Sequence, residues 1–236
     1  MDTIIFDMDD TLYDQAAPFR KTCKKMLHAS LSDDELNTLY LISRKHSDAL
    51  FDEQAAGNIT TEEMHIRRIK DACAEMEIKI SAEQALAFQN SYVQELGKIE
   101  LFDEIIVLLE YLAANQKQLA VLTNGAEGHQ AMKINQLKLN KWIPEEYLFI
   151  SGMIGHAKPS EEVFRFIENE LGLTKEKTVY VGDSFANDVV GAKQAGWHAV
   201  WVNHRQRQEP EGKIKPDKTV NSAEELYNFF KEDWGR

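Results

Sequence analysis

Three carboxylates and a threonine close a short apolar run near the start of the chain: Ile4-Ile5-Phe6-Asp7-Met8-Asp9-Asp10-Thr11-Leu12. The β-branched and aromatic residues read as a buried strand. In an open α/β sheet ligands bind beyond the carboxyl ends of the strands, so Asp7 and Asp9 would project together at a site entrance. Like charges that close repel, and either a proton on one or a cation between them relieves the repulsion. The same residues also suit a solvated turn whose acids cap a helix. Other chemistry-bearing residues follow later strand-like runs: Thr123 and Asn124 after 118–122, Lys158 in the loop after 148–151, and Asp183 with Asp188 after 178–181. Each alone is ordinary, since Thr-Asn-Gly makes a good turn and Lys-Pro before Ser160 a common helix entrance. Their shared place at strand ends argues for phosphate chemistry at one sheet edge.

The elements that must position these residues follow from periodicity. From 14 to 97 the texture is helical, with segments at 16–28 and 33–50, a break at Gly57-Asn58, and two capping boxes, Thr60-x-x-Glu63 and Ser81-x-x-Gln84, opening a third and a fourth helix. Four helices without an intervening strand predict an inserted bundle. From 101 onward helix and strand alternate: helices at 102–112, 128–137, 160–171 and 187–195 and one opened by Ser222, strands at 118–122, 148–151, 178–181 and 198–202, and a loop over 204–218. Alternation with connections of this length predicts an α/β fold, a doubly wound parallel sheet with helices on both faces. The expected domains are a Rossmann-like core, 1–13 with 98–236, and a helical insert, 14–97. Trp197 and Trp201, flanking the strand at 198–202, read as packing residues, and Phe19 reads as core of the insert.

Composition narrows the function. The chain has 236 residues, 43% hydrophobic, with 27 Lys plus Arg against 39 Asp plus Glu and a net charge of -12. That balance repels polyphosphate backbones and excludes nucleic-acid binding by bulk electrostatics, while a small anionic metabolite can still bind beside a local cation. No charged and apolar leader opens the sequence and no apolar run approaches about 18 residues, so the expectation is a cytoplasmic protein with no membrane partner. Cys23 and Cys73 lack metal spacing and read as buried free thiols, with a disulfide left open.

The four motifs together give a specific resemblance. Asp7-Met8-Asp9-Asp10-Thr11, Thr123, Lys158 and Gly182-Asp183-Ser184-Phe185-Ala186-Asn187-Asp188 are similar to the motifs of the haloacid dehalogenase superfamily, over 1–13 and 98–205. The insert after the first motif resembles that superfamily's C1-type cap. The resemblance implies an Mg2+-dependent phosphomonoester hydrolase. Asp7 would be the nucleophile that forms an aspartyl phosphate, and Asp9 the acid and then base, its pKa raised by crowding with Asp7. Thr123, Asn124 and Lys158 would bind the phosphoryl oxygens. The metal would sit on Asp7, Asp183 and the backbone carbonyl of Asp9, with Asp188 supporting it indirectly. An acid at Asp9 weighs against dehalogenation, which has no alkoxide to protonate.

The insert says less about the substrate. Gly57-x-x-Thr60 and Arg68, with Asp10 in the first motif, resemble the branch of housekeeping 5'-nucleotidases and N-acylneuraminate-9-phosphatase. A nucleoside 5'-monophosphate is therefore expected ahead of a sugar phosphate. Arg68 is either a contact to a base or acid group or a structural ion pair. The competing readings are a phosphoglucomutase-like or dehalogenase chemistry and a non-enzymatic metabolite-binding protein. A monomer and a homodimer are both compatible, and the roles of Asp10 and His156 are open.

Overall fold

A computed structural model describes residues 1–27 and 30–232. Beginning from the first motif, strand β1 (Thr3–Phe6) is buried along its whole length. Helices α1 (Ala16–Met26), α2 (Asp33–Ala55), α3 (Thr61–Glu75) and α4 (Ala82–Leu96) follow. Then come α5 (Asp103–Ala114), β2 (Gln118–Thr123), α6 (Glu127–Gln136), β3 (Leu148–Ile150), α7 (Ser151–Ile154) and α8 (Glu161–Leu171). The chain continues through β4 (Thr178–Gly182), α9 (Val190–Ala195), β5 (His198–Val202), β6 (Lys218–Val220) and α10 (Ala223–Glu232).

The six strands form one sheet in the order β3-β2-β1-β4-β5-β6, and every neighbouring pair is parallel. This is the Rossmann-like α/β fold, and it puts β1 between β2 and β4 at the point where the strand order reverses. The first motif therefore leaves the sheet where loops from both directions converge. Ile5, Ala120, Leu122, Tyr180, Ala199 and Trp201 share one buried core with Val163, Phe164, Ile167 and Ala192, so α8 and α9 cover one sheet face. Side chains alternate along a strand, which turns Ile4, Phe6, Val121 and Val181 toward the opposite face; α5 packs on β2 and beside α10. Both faces are covered, which is why the strands read as continuous apolar runs rather than alternating ones.

Three expectations need correction. A sixth strand, β6, lies at the end of the stretch read as loop, because three residues carrying one buried valine give no periodicity to detect. The third strand is shorter than expected, since Ser151 already opens α7. The helix expected from 187 begins as a π-type turn, Phe185–Val189, with the Ser184 hydroxyl accepting the Asn187 N–H. The predicted extension of the first helix to His28 lies outside the described residues.

The chain divides into two compact units, Met1–Asp14 with Glu100–Arg236 and Gln15–Ile99. In the helical unit both capping boxes form: Thr60 Oγ1 accepts from Glu63 N and Glu63 accepts from Thr60 N, and Ser81 and Gln84 do the same. Phe19 centres its core, edge-on to Tyr40 and Phe88 with ring centroids 5.6 and 5.4 Å away. Cys23 and Cys73 are buried and free, and burial pushes the Cys73 thiol up to about 11. Among the described residues no helix is long and apolar enough to cross a membrane.

Candidate active site

The ends of β1, β2 and β4 and the loop before α8 bring the first group of predicted residues together. Lys158, buried at 2% side-chain exposure, donates to Asp7 Oδ1 at 2.7 Å, Asp188 Oδ1 at 2.8 Å and the Tyr180 hydroxyl oxygen at 2.6 Å. An ammonium has three protons, so this set uses all of them. The Tyr180 hydroxyl in turn donates to the Leu122 carbonyl oxygen at 2.7 Å, anchoring the cluster to β2. Asn124 ties the same loops from the other side: its side chain accepts from Lys158 N and donates to Lys158 O, both at 2.9 Å. Burial favours the neutral form of Lys158, but Asp188 and Asp7 outweigh it and hold its proton well above the ordinary range.

Asp7, Asp183 and Asp188 each offer a carboxylate oxygen, all within 4.8 Å of one another. An all-oxygen set of this kind suits a hard divalent cation. Asp188 has both oxygens engaged, Oδ1 by Lys158 and Oδ2 by Ser184 N at 2.9 Å. Gly182 makes room for it, because a Cβ there would overlap the Asp188 carboxylate. Asp7 bonds Lys158 through Oδ1 only, and Asp183 bonds Arg207 Nη1 through Oδ2 at 2.9 Å. Each keeps a second oxygen without a hydrogen bond among the described residues, so Asp7 and Asp183 are the better-fitted donors. Burial drives the Asp7 carboxyl well above its ordinary value, Lys158 opposing and Asp188 and Asp183 reinforcing it. Asp183 is pushed up to about 7 by burial and by repulsion from Asp188 and Asp10.

Asp9 has different partners. Lys133 Nζ, on α6, stands 2.8 Å from both of its oxygens, Gln130 Nε2 is 3.2 Å from Oδ2, and the Tyr13 hydroxyl donates to Oδ1. Burial alone would push the Asp9 carboxyl up, but Lys133 and these hydrogen bonds outweigh it and hold the carboxyl below its ordinary value. The expected rise through crowding is therefore corrected: the governing neighbour is a buried lysine that the sequence reading did not include. Thr123 joins this second group, its Oγ1 accepting from Gln130 Nε2 at 2.6 Å.

Asp10, whose role the sequence left open, is buried with positive φ, 57°, and accepts a two-pronged bond from Arg205, Nε to Oδ2 at 2.8 Å and Nη2 to Oδ1 at 2.6 Å. Arg205 also reaches Asp14 Oδ1 at 2.9 Å, so it fastens both sides of the first-motif loop. Arg205 and Arg207 follow β5, next to β4, and only the strand order reveals that they point back to the first motif. Arg68 belongs to the helical unit and not to this cluster; it donates to Gln89 Oε1 at 2.6 Å and lies 5.8 Å from the Tyr92 ring centre. It has no carboxylate partner among the described residues, so the ion-pair reading finds no support there. His156 is exposed.

The chain is similar to known proteins in sequence and in fold. Over nearly its whole length the chain is similar to a glyceraldehyde 3-phosphate phosphatase of Methanocaldococcus jannaschii, 26% identical over 97% of this chain and 96% of the relative. A pyrimidine 5'-nucleotidase of Escherichia coli, YjjG, is 31% identical over 51% of this chain and 52% of its own. Among solved structures, the hydrolase YfnB of Bacillus subtilis, bound to magnesium, superposes with a TM-score of 0.70 at 23% identity, covering 96% of this chain and 97% of that one. An L-2-haloacid dehalogenase, RSc1362, does so with 0.76 at 15%, covering 98% and 99%. At these identities the structures speak for the fold alone. The model of the haloacid dehalogenase-like hydrolases matches residues 1–196, and with the strand-end carboxylates in place the chain belongs to that family.

Proposed function

We propose that the protein hydrolyses small phosphomonoesters through an aspartyl phosphate on Asp7. The observation that carries this reading is the division of the two acids: Asp7 faces Lys158 and the Asp183–Asp188 pair, while Asp9 faces Lys133 and Gln130 beside Thr123. Two carboxylates two residues apart in different environments can take different chemical parts. A carboxylate oxygen of Asp7 attacks phosphorus and the bond to the ester oxygen breaks, with a proton from Asp9 going to the leaving alkoxide. Water then attacks the aspartyl phosphate, Asp9 takes its proton, and the bond between phosphorus and Asp7 breaks to give phosphate and the free carboxylate. Asp9 begins as a carboxylate and takes up a proton from solvent as the phosphoryl dianion, whose charge raises its pKa, binds; that proton is the one it delivers to the alkoxide, and the one it later takes from water returns to solvent. Thr123, the Asn124 backbone amide and Lys158 bind the phosphoryl oxygens. Lys158 must then share protons now given to Asp7, Asp188 and Tyr180. Retention of a second acid at Asp9 favours phosphoryl transfer over dehalogenation.

Asp7 and Asp183, with the Asp9 carbonyl assigned by family resemblance, would hold a divalent cation, for which Mg2+ is the natural choice on all-oxygen ligands. When bound, it supplies positive charge that favours the ionised forms of Asp7 and Asp183 and offsets the charge of the phosphoryl group. Because the Asp183 carboxyl sits at about 7 without a cation, binding below that pH must displace a proton. Affinity for Mg2+ is therefore expected to fall as pH drops through 7, by up to about tenfold per pH unit while one proton is displaced. Calorimetry at pH 6 and pH 8 in buffers of different ionisation enthalpy measures the protons released. Equal affinity at both pH values with no proton release would contradict the assignment of Asp183.

The helical unit Gln15–Ile99 is assigned the role of a cap that selects the substrate, with Arg68 as its candidate contact to a base or acid group. A nucleoside 5'-monophosphate is the favoured substrate, in line with the resemblance of its sequence to nucleotidases. Near full-length similarity to a protein named for glyceraldehyde 3-phosphate supports a short sugar phosphate as the second reading. A panel of nucleoside monophosphates and sugar phosphates, assayed for phosphate release with Mg2+ and again with EDTA, separates the two. Release from one class, abolished by EDTA, is the expected result; no release from any ester with Mg2+ overturns the reading.

A further inference from the structure

Lys133 is an ammonium buried inside an acidic protein, with 3% of its side chain exposed and Asp9 as its ion-pair partner among the described residues. Taking such a charge out of water is costly, and a buried ion pair is weak evidence for stability, so its place calls for another explanation. Gln130, three residues earlier, lies on the same face of α6. Its amide nitrogen reaches Asp9 Oδ2, Thr123 Oγ1 at 2.6 Å and the Asn124 carbonyl at 3.0 Å. Its Oε1 is buried without a hydrogen-bond partner, so the side chain is placed for its nitrogen. Gly125 permits this, since a Cβ there would stand 2.9 Å from Gln130 Cγ. One amide thus bridges the second carboxylate of the first motif and the threonine of the second, residues more than a hundred positions apart.

We propose that Lys133 and Gln130 are positioning residues that hold the Asp9 carboxylate in register with Thr123 and hence with the phosphoryl group. This rests on the phosphomonoesterase reading. Lys133 contacts both oxygens of Asp9, so it can keep one while the other turns to the leaving group or to water. Both act through the Asp9 carboxylate and take no part themselves in the bonds that form and break at phosphorus. Their loss disturbs the two steps that use Asp9, protonation of the alkoxide and activation of water, and spares attack by Asp7.

Leaving groups separate these steps. An alkyl phosphate needs the proton from Asp9, whereas p-nitrophenyl phosphate expels an anion stable without one. In the Lys133→Met protein kcat for an alkyl phosphate should fall about a hundredfold, the low end of general acid–base contributions, with a much smaller change in KM. With p-nitrophenyl phosphate it should release nitrophenolate in a burst of one equivalent per enzyme and then turn over slowly, as the aspartyl phosphate waits for its water. Lys133→Arg, which keeps a cationic donor, should restore most of the turnover. Gln130→Met leaves the ion pair intact and should show the same burst with a loss of about tenfold, a fraction of the general acid–base contribution; it carries the test if Lys133→Met does not fold. Equal losses on both substrates without a burst, in a variant with wild-type thermal unfolding, would overturn the proposal by showing a diffuse structural role. A rise in turnover on removing Lys133 would also overturn it, because the lysine would then be restraining Asp9. Failure of the function itself is distinguishable, for then the unaltered protein hydrolyses neither ester.

Discussion

Replacing Asp7 by Asn is expected to lower phosphatase turnover by at least about a thousandfold, since loss of a covalent nucleophile removes the whole stepwise route. Asn has nearly the shape of Asp, and its amide oxygen can still accept from Lys158, but the amide cannot form an acyl phosphate. The change also removes one of the carboxylates crowded within 4.8 Å, so the fold should be retained with unchanged or slightly higher thermal stability. The decisive measurement is paired. Phosphate release is followed in both proteins, and acid-quenched samples are weighed intact, where only the unaltered chain should gain one phosphoryl group. Undiminished turnover in Asp7→Asn would remove Asp7 as nucleophile and revive the reading of a binding protein with an incidental hydrolase fold.

The second large effect is expected at Lys158. Replacement by Met keeps the length and leaves Asp7, Asp188 and the Tyr180 hydroxyl without their shared donor, in a place where Lys158 and Asp188 each expose only 2% of the side chain. Removing one partner of a buried ion pair costs about 3–5 kcal/mol. For a chain of this size that corresponds to a fall in Tm of roughly 10 °C. Activity should be lost as well, because Asp7 would then face an incoming dianion unshielded. Acidification should recover part of the stability. The folded state already favours protons on Asp7, so as pH falls the folded protein takes up the proton that replaces the lost positive charge. A Tm within a degree or two of the parent would show that the cluster is not held by this lysine.

Both effects concern residues legible in the sequence, and the reason is local. Asp7, Asp9 and Thr11 lie in one loop after an obvious strand. Thr123, Asp183 and Asp188 also announce themselves by following apolar runs, and Lys158 by its loop before a helix. The capping boxes at Thr60 and Ser81 were legible for the same reason, since each is closed by a residue three positions away. What escaped was nonlocal. Lys133 and Gln130 sit in an amphipathic helix where a buried lysine and a solvated one look alike, and Asp9 is 124 positions from the lysine that sets its charge state. Arg205 lay in a polar stretch read as a loop, 195 positions from Asp10. Strand β6 was missed in the same stretch, its three residues being too short for periodicity.

The α/β class, the helical insert and the residues proposed to do chemistry were all readable in the sequence, because these depend on patterns within one strand, one loop or one helix turn. Tertiary structure alone decided how those residues are paired. Lys158 and the Asp183 loop close on Asp7, and α6 brings Lys133 and Gln130 to Asp9. Asp7 thereby falls among carboxylates that favour a proton or a cation, and Asp9 against an ammonium that favours its charge. A pKa follows from what surrounds a group in space, and neighbours in space are assembled from distant parts of the chain.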